Sequence, residues 1–103
     1  MKVNDMTGAA LDWAVAKCEG INNGWGMWSG SQWIGIPYST DWAQGGLIIE
    51  REKIGVGYDQ ELGWVGIDTN AHYQTGDTPL VAAMRCYVAS KLGDDIEIPK
   101  ELK

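Results

Sequence analysis

The chain contains one histidine in 103 residues, which limits the catalytic chemistry it can perform. Histidine-based triads and metal clusters therefore have few ways to form. His72 follows Asp68 and Asn70 at intervals of two, a spacing that on a β-strand places all three side chains on one face. We interpret the run as a solvated loop or strand edge, because a cation site also demands a fixed geometry. The sequence predicts no catalytic residue, metal or cofactor and favours a non-enzymatic protein.

Two polar segments are the candidates for ligand binding. The first, residues 38–42, places hydroxyls and backbone N–H groups before a predicted helical turn, which suits an anion or a polar ligand edge. Its two aromatic rings can stack on a planar group. The alternative is that its hydroxyls cap their own backbone and that Trp42 lies in the core.

The second polar segment, residues 75–79, begins a predicted helix, and Arg85 lies two turns further on. A helix start with two threonine hydroxyls suits phosphate, although Asp77 adds opposing charge there. Arg85 has an alternative role as an ion-pair partner of Asp41, Glu50 or Glu52. We predict that the two segments meet in one site formed by Tyr38, Ser39, Thr40, Asp41, Trp42, Thr78 and Arg85.

Two helices, at about residues 8–19 and 79–92, are expected to position these segments. Thr7 is a suitable N-cap for the first, and Thr78 with Pro79 begins the second, which Gly93 ends. On the second helix, a stripe of small residues permits close packing against the first helix or against a second copy of the chain. The sequence therefore also allows a homodimer. The stripe consists of Ala82, Cys86 and Ala89.

Between the helices, short apolar runs broken by glycine indicate an antiparallel sheet. The strands are expected at 32–37, at 54–58 and 62–67 as a hairpin, and around Ile96 and Ile98 as an edge strand. Residues 40–44 are expected to form one helical turn that Gly45 and Gly46 stop, whereas 47–53 fits a strand or a helix equally. We therefore predict a single α+β domain, residues 1–103, whose two helices pack on a small antiparallel sheet.

Charge and composition exclude several classes of partner. The net charge is −6 and the eight lysines and arginines are scattered, which argues against nucleic-acid binding. No apolar run approaches the length of a membrane span. Residues 1–6 are polar and lack a signal-peptide core, so we expect a cytoplasmic protein in which Cys18 and Cys86 are buried free thiols.

Three segments of the sequence resemble the NinX-like family of small tailed-phage proteins. They are Thr7–Ala16, Tyr38–Gly46 and Asp77–Arg85, and the resemblance runs from about residue 7 to Pro99. It implies a phage or prophage accessory protein in the bacterial host, and it supplies no activity.

The function that the residues favour is non-enzymatic binding of a polar, nucleotide-like small molecule. The first alternative is a factor that binds a host protein, and the second is a small hydrolase using Asp41 and a threonine hydroxyl. The positions of the six tryptophans distinguish the first two functions, because a concave tryptophan-lined site favours a small ligand and a flat exposed patch favours a protein.

Overall fold

The computed structural model describes residues 1–20, 27–29 and 32–102. These residues contain three α-helices, where the sequence predicted two. The helices are α1 (Gly8–Cys18), α2 (Trp42–Glu52) and α3 (Pro79–Leu92). The α+β class is confirmed, and the additional helix is α2.

Two antiparallel sheets are present in the described part of the chain. The smaller is a hairpin of β1 (Met27–Ser29) and β2 (Gln32–Ile34). The larger has the order β3-β4-β5. Its strands are β3 (Gly55–Asp59), β4 (Gly63–Ile67) and β5 (Tyr73–Gly76).

Helix α3 is the centre of the molecule. One side of it packs on the three-stranded sheet, and α1 and α2 pack on its other sides. From Leu80 to Val88 every residue except the half-buried Val81 is buried, which explains why α3 carries apolar residues all round. The expectation that both predicted helices pack on the sheet is therefore wrong for α1, which packs on α3 instead.

The sheet approaches α3 closely because two of its residues are glycines. A Cβ atom on Gly66 would lie 2.8 Å from the backbone of Ala82 and Ala83, and one on Gly76 would lie 2.7 Å from the Ala82 nitrogen. Atoms do not tolerate such separations, so only glycine fits at these positions. The small-residue stripe of α3 thus lies against the sheet at Ala82.

Helix α2 corrects the prediction for residues 40–53. The helix is continuous through Gly45 and Gly46, and the ambiguous stretch 47–53 is helical up to Glu52. Gly45 is a packing residue, because a Cβ atom there would clash with the Tyr38 carbonyl and lie 2.6 Å from the Leu80 side chain. A glycine inside a helix destabilises the helix by about 1 kcal/mol relative to alanine. The packing of α2 on α3 outweighs this loss.

The hairpin predicted around residues 59–61 is confirmed. Asp59 pairs with Gly63, and its carboxylate accepts hydrogen bonds from the backbone of Glu61 and Leu62 at 2.8 and 3.0 Å. A further strand, β5, was not predicted, because Tyr73–Gly76 shows no apolar alternation.

The residues before β5 form a turn and not a strand. The Asp68 carboxylate accepts from the Asn70 and His72 backbone N–H groups at 2.9 and 3.0 Å, and Ala71 has a φ of 65°. Asp68, Asn70 and His72 are therefore not three side chains on one face of a strand. The described residues include no group of three metal-ligating side chains close enough to hold an ion.

The two ends of the chain lie side by side. The Val3 N–H donates to the Asp94 carbonyl and the Ile96 N–H donates to the Met1 carbonyl, both at 2.9 Å. Ile96 and Ile98 are buried, as their alternation predicts, but this segment makes only an isolated bridge between Lys2 and Asp95 and is not a strand.

Candidate functional site

The face of the three-stranded sheet that points away from α3 is apolar and uncovered by the described residues. Because Gly66 points at α3 and side chains alternate along a strand, Val65 and Ile67 point to the opposite side. Tyr73 pairs with Ile67 across β4 and β5 and lies on the same side. We call this surface, formed by Val65, Ile67, Tyr73 and the adjoining Leu62, the outer face.

Glycines make the outer face concave. Gly55 lies opposite Ile67, and Gly57 lies opposite Val65 with open space above it. The missing side chains leave a shallow depression of about 540 Å³, lined mainly by apolar residues. Asp59, at its margin, adds negative charge and Leu62 adds apolar surface. A surface with an apolar centre and an acidic margin suits a partner that is apolar and flanked by positive charge.

Tyr38 and Ser39, the first two residues of the candidate polar segment, are buried. The Ser39 N–H donates to the Asp12 carboxylate at 2.8 Å, and the Ser39 hydroxyl is buried without a hydrogen bond to the described residues. Burial raises the pKa of Asp12, an effect opposed by the hydrogen bond from the Ser39 N–H. These contacts hold the segment against α1, and nothing in the sequence pointed to Asp12 as the partner.

The remaining residues of that segment lie at the surface. Asp41 is the N-cap of α2, since its carboxylate accepts from the Ala43 N–H at 2.9 Å. Thr40 is exposed, and Trp42 is 54% exposed over Gly46, so Trp42 is not a core residue.

Thr78 and Arg85 belong to different surroundings. Thr78 caps α3 as predicted, accepting from the Val81 N–H at 3.1 Å. Arg85 is buried and donates to the carbonyls of Met6 and Thr75 at 2.9 and 2.7 Å. Burial lowers the pKa of Arg85. The predicted ion pairs with Asp41, Glu50 or Glu52 are absent among the described residues.

The structure brings part of the predicted site together. The Tyr38 carbonyl and the Leu80 side chain both lie against Gly45, so residues 38–42 approach the start of α3 near Thr78. Arg85 follows Leu80 by five residues, or about 140° around the helix. Its guanidinium therefore points away from this region, towards Met6 and Thr75.

A polar cluster that the sequence did not reveal joins all three helices. Arg51 donates to both oxygens of Glu19 at 3.0 and 2.6 Å, and the Tyr87 hydroxyl also donates to Glu19. Arg51 bonds Glu52 as well, and Lys91 pairs with Glu52 at 3.5 Å. The only sequence signal is that Tyr87, on a buried helix face, needs a partner for its hydroxyl.

The electrostatics of this cluster favour the charged form of its carboxylate. The hydrogen bonds from Arg51 hold the pKa of Glu19 below its usual range, against the opposing effect of burial. Burial and the neighbouring Glu19 carboxylate raise the pKa of Tyr87, which keeps its hydroxyl protonated. The cluster therefore holds the three helices together, and its ion-paired carboxylate is a poor general base.

The two cysteines are free, as predicted. Cys86 is buried and its thiol lies 3.7 Å from the His72 carbonyl, whereas Cys18 is only half-buried. Burial raises the pKa of Cys86 to about 11 and that of Cys18 to about 12. Both thiols are thus protonated at neutral pH and are poor nucleophiles. Cys86 lies at the wall of a cleft of about 470 Å³ between α3 and residues 68–74.

The tryptophans with described side chains do not line one concave site. Trp13 is half-buried with the Lys17 ammonium 5.2 Å from its ring centre, and Trp64 is half-buried. Trp64 contacts the ring of Tyr58 edge to face, with 5.1 Å between their centres. Trp25, Trp28 and Trp33 lie outside the residues whose side chains are described.

Comparison with known proteins places the chain in a family. The family model described as Bacteriophage P22, NinX matches residues 2–91. The chain belongs to the NinX family. Family membership makes it a phage accessory protein, as the resemblance in sequence implied. No curated protein matches the chain.

None of the helices in residues 1–20 and 32–102 has the length and apolar character needed to cross a lipid bilayer.

The Glu19 cluster predicts a loss of stability in acid. Because its folded pKa is lowered, Glu19 stabilises the fold above its unfolded pKa, and this stabilisation is lost as the pH falls through the lower folded value. At pH 7, Glu19→Gln should lower the free energy of unfolding by about 1–2 kcal/mol. Urea unfolding from pH 7 to pH 3 should show this difference shrinking as wild-type Glu19 becomes protonated.

The matched control is Glu50→Gln, which removes the same charge from an exposed position on α2. It should change stability little at any pH. Equal effects of the two substitutions, or a Glu19→Gln effect that stays constant between pH 7 and pH 3, would contradict the assigned role of the cluster.

Proposed function

We propose that this NinX-family protein acts in the host cytoplasm by binding another protein through the outer face of its sheet. One observation supports this proposal above the others. Eight large apolar residues are exposed among the residues described, and three of them, Leu62, Ile67 and Tyr73, lie on the outer face together with the half-buried Val65. Val56 and Tyr58 are exposed as well, but the alternation along β3 points them to the side of the sheet that faces α3. An exposed apolar surface of this kind is typical of a protein-interaction site.

The charge of the chain indicates the chemistry of the partner. Asp59, Glu61 and Asp77 are exposed around the sheet, and the net charge is −6. A host protein with an apolar patch flanked by lysine or arginine complements this surface in both respects. Nucleic acid and anionic lipid do not complement it.

The test compares two aspartate substitutions at exposed apolar residues. Tyr73→Asp lies on the outer face, and Leu47→Asp lies on α2 and is equally accessible. Each tagged protein is used to capture host proteins, and the captured protein is then purified and titrated by calorimetry. Tyr73→Asp should weaken binding at least about tenfold, the scale of a lost aromatic anchor. Leu47→Asp should bind like wild type.

Melting curves must first show that both variants are folded. Equal retention or equal loss of binding in the two folded variants would overturn the assignment to the outer face. Weaker binding at higher salt is also expected, because the acidic margin contributes by charge.

A small polar molecule is the second candidate, favoured by the approach of residues 38–42 to the start of α3 on either side of Gly45. The site we propose for it uses the exposed Thr40 and Trp42 together with Thr78. Tyr38 and Ser39 would support it from within, and Arg85 would act through the fold and not by contact. Asp41 caps its own helix, so its carboxylate is engaged and the hydrolase alternative gains no support.

Thr40→Ala tests this second candidate. Thr40 is exposed, so its replacement should change the free energy of unfolding by less than about 0.5 kcal/mol. Calorimetric titration with a metabolite recovered from host extract on the wild-type protein should then show binding abolished. Unchanged affinity would remove Thr40 from the site.

A further inference from the structure

Strand β3 is an edge strand that is open to solvent over its whole length. It pairs with β4 on one side, and on the other side no strand in the described part of the chain pairs with it. All five of its residues, Gly55–Asp59, are exposed. An open edge presents unpaired backbone N–H and C=O groups, which readily pair with another strand. Edge strands commonly carry a protecting lysine or proline, and β3 carries neither.

The sequence of β3 is complementary to itself in the antiparallel sense. If two copies pair about a two-fold axis through Gly57, Val56 of each copy lies directly opposite Tyr58 of the other. A β-branched residue opposite an aromatic residue is a favourable cross-strand pair. Val56 is 38% exposed and Tyr58 is 63% exposed, so each has apolar surface to bury in this way. Glycine at the axis leaves open space where the two strands are closest.

The same two-fold arrangement matches opposite charges at both of its ends. Lys53 ends α2 in a left-handed conformation and Glu61 lies in the hairpin turn, so each flanks one end of β3. The two-fold axis brings the end of β3 that carries Lys53 in one copy beside the end that carries Glu61 in the other, and this occurs twice by symmetry. Both residues are exposed, and neither forms an ion pair with the residues described in its own chain. A register shifted by two residues would lose both the charge match and the Val56–Tyr58 pairs.

We propose that the protein forms a two-fold homodimer by antiparallel pairing of β3 with β3 of a second copy, centred on Gly57. The two three-stranded sheets then join into one of six strands, and their outer faces become one continuous apolar surface. Five residues from each strand bury little area, so the dimer is weak, with a dissociation constant in the micromolar range. This pairing uses the edge of the sheet and not its outer face, so it stands independently of the proposed host partner.

Gly57→Cys tests the register directly. Opposed Cα atoms in an antiparallel pair are about 5 Å apart, which a disulfide can bridge. Oxidised glutathione should therefore convert Gly57→Cys into a covalent dimer. The control is Gln60→Cys, equally exposed but about 20 Å from its counterpart in this register. It should form no covalent dimer under the same conditions, and neither should wild type with its high-pKa thiols. Equal cross-linking of the two variants, or none of Gly57→Cys, would overturn the proposal.

Charge reversal gives a second readout that needs no cross-link. Sedimentation equilibrium from about 1 to 500 µM protein covers the range of dissociation constants that we expect for a small interface. Lys53→Glu and Glu61→Lys should each weaken dimerisation about fivefold, the scale of two exposed ion pairs, and the double variant should restore it. Glu97→Lys, the same change on an exposed residue away from β3, should have no such effect. A double variant no better than the single ones would contradict the pairing.

The outer-face variant Tyr73→Asp distinguishes the two proposals. It should dimerise like wild type while losing the host partner. Loss of the dimer in this variant would show that self-association uses the outer face, and would overturn the assignment to β3.

Discussion

The structure depends on the direct contact between α3 and the three-stranded sheet at Gly66 and Gly76. At both positions the helix backbone occupies the space that a side chain would need. This contact buries the part of one sheet face around Gly66 and Gly76 and leaves the opposite face uncovered by the described residues. It also places α3 so that its remaining sides must be covered by other elements, which α1 and α2 provide. The exposed apolar surface is therefore a consequence of which sheet face carries Gly66 and Gly76.

The rest of the fold fixes the segments around α3 with a few buried polar contacts. Arg85 holds the N-terminal segment and β5 through the carbonyls of Met6 and Thr75. Asp12 holds the turn before α2. The charge of each side chain is used within the fold, and removing one partner would leave a buried polar group unpaired. The outer face of the sheet and its open edge at β3 have no buried polar contact of this kind among the described residues, and these are the surfaces to which we assign binding.

Local signals in the sequence predicted the elements that local chemistry controls. The caps of α3 at Thr78 and Gly93 and the hairpin at Asp59 follow from turn and capping preferences of neighbouring residues. The continuation of α2 through Gly45 did not follow, because that glycine is required by a contact with Leu80, which is distant in sequence. For the same reason the residues 38–42 looked like a ligand site. The residues that contact this segment in the fold are distant in sequence, so its neighbours in the chain do not show which of its polar residues are buried. A polar residue that is buried and hydrogen-bonded within the fold has a structural role.

Urea unfolding of Gly66→Ala beside Gly57→Ala is the most direct test of the contact on which the fold depends. Both substitutions add one methyl group to a glycine of the same sheet, but Gly66 faces the α3 backbone at 2.8 Å and Gly57 faces open space. Gly66→Ala should lower the free energy of unfolding by about 1–3 kcal/mol, the usual effect of overpacking. Gly57→Ala should be neutral or slightly stabilising, because alanine restricts the unfolded chain. Equal stabilities of the two variants would contradict the close packing of α3 on the sheet.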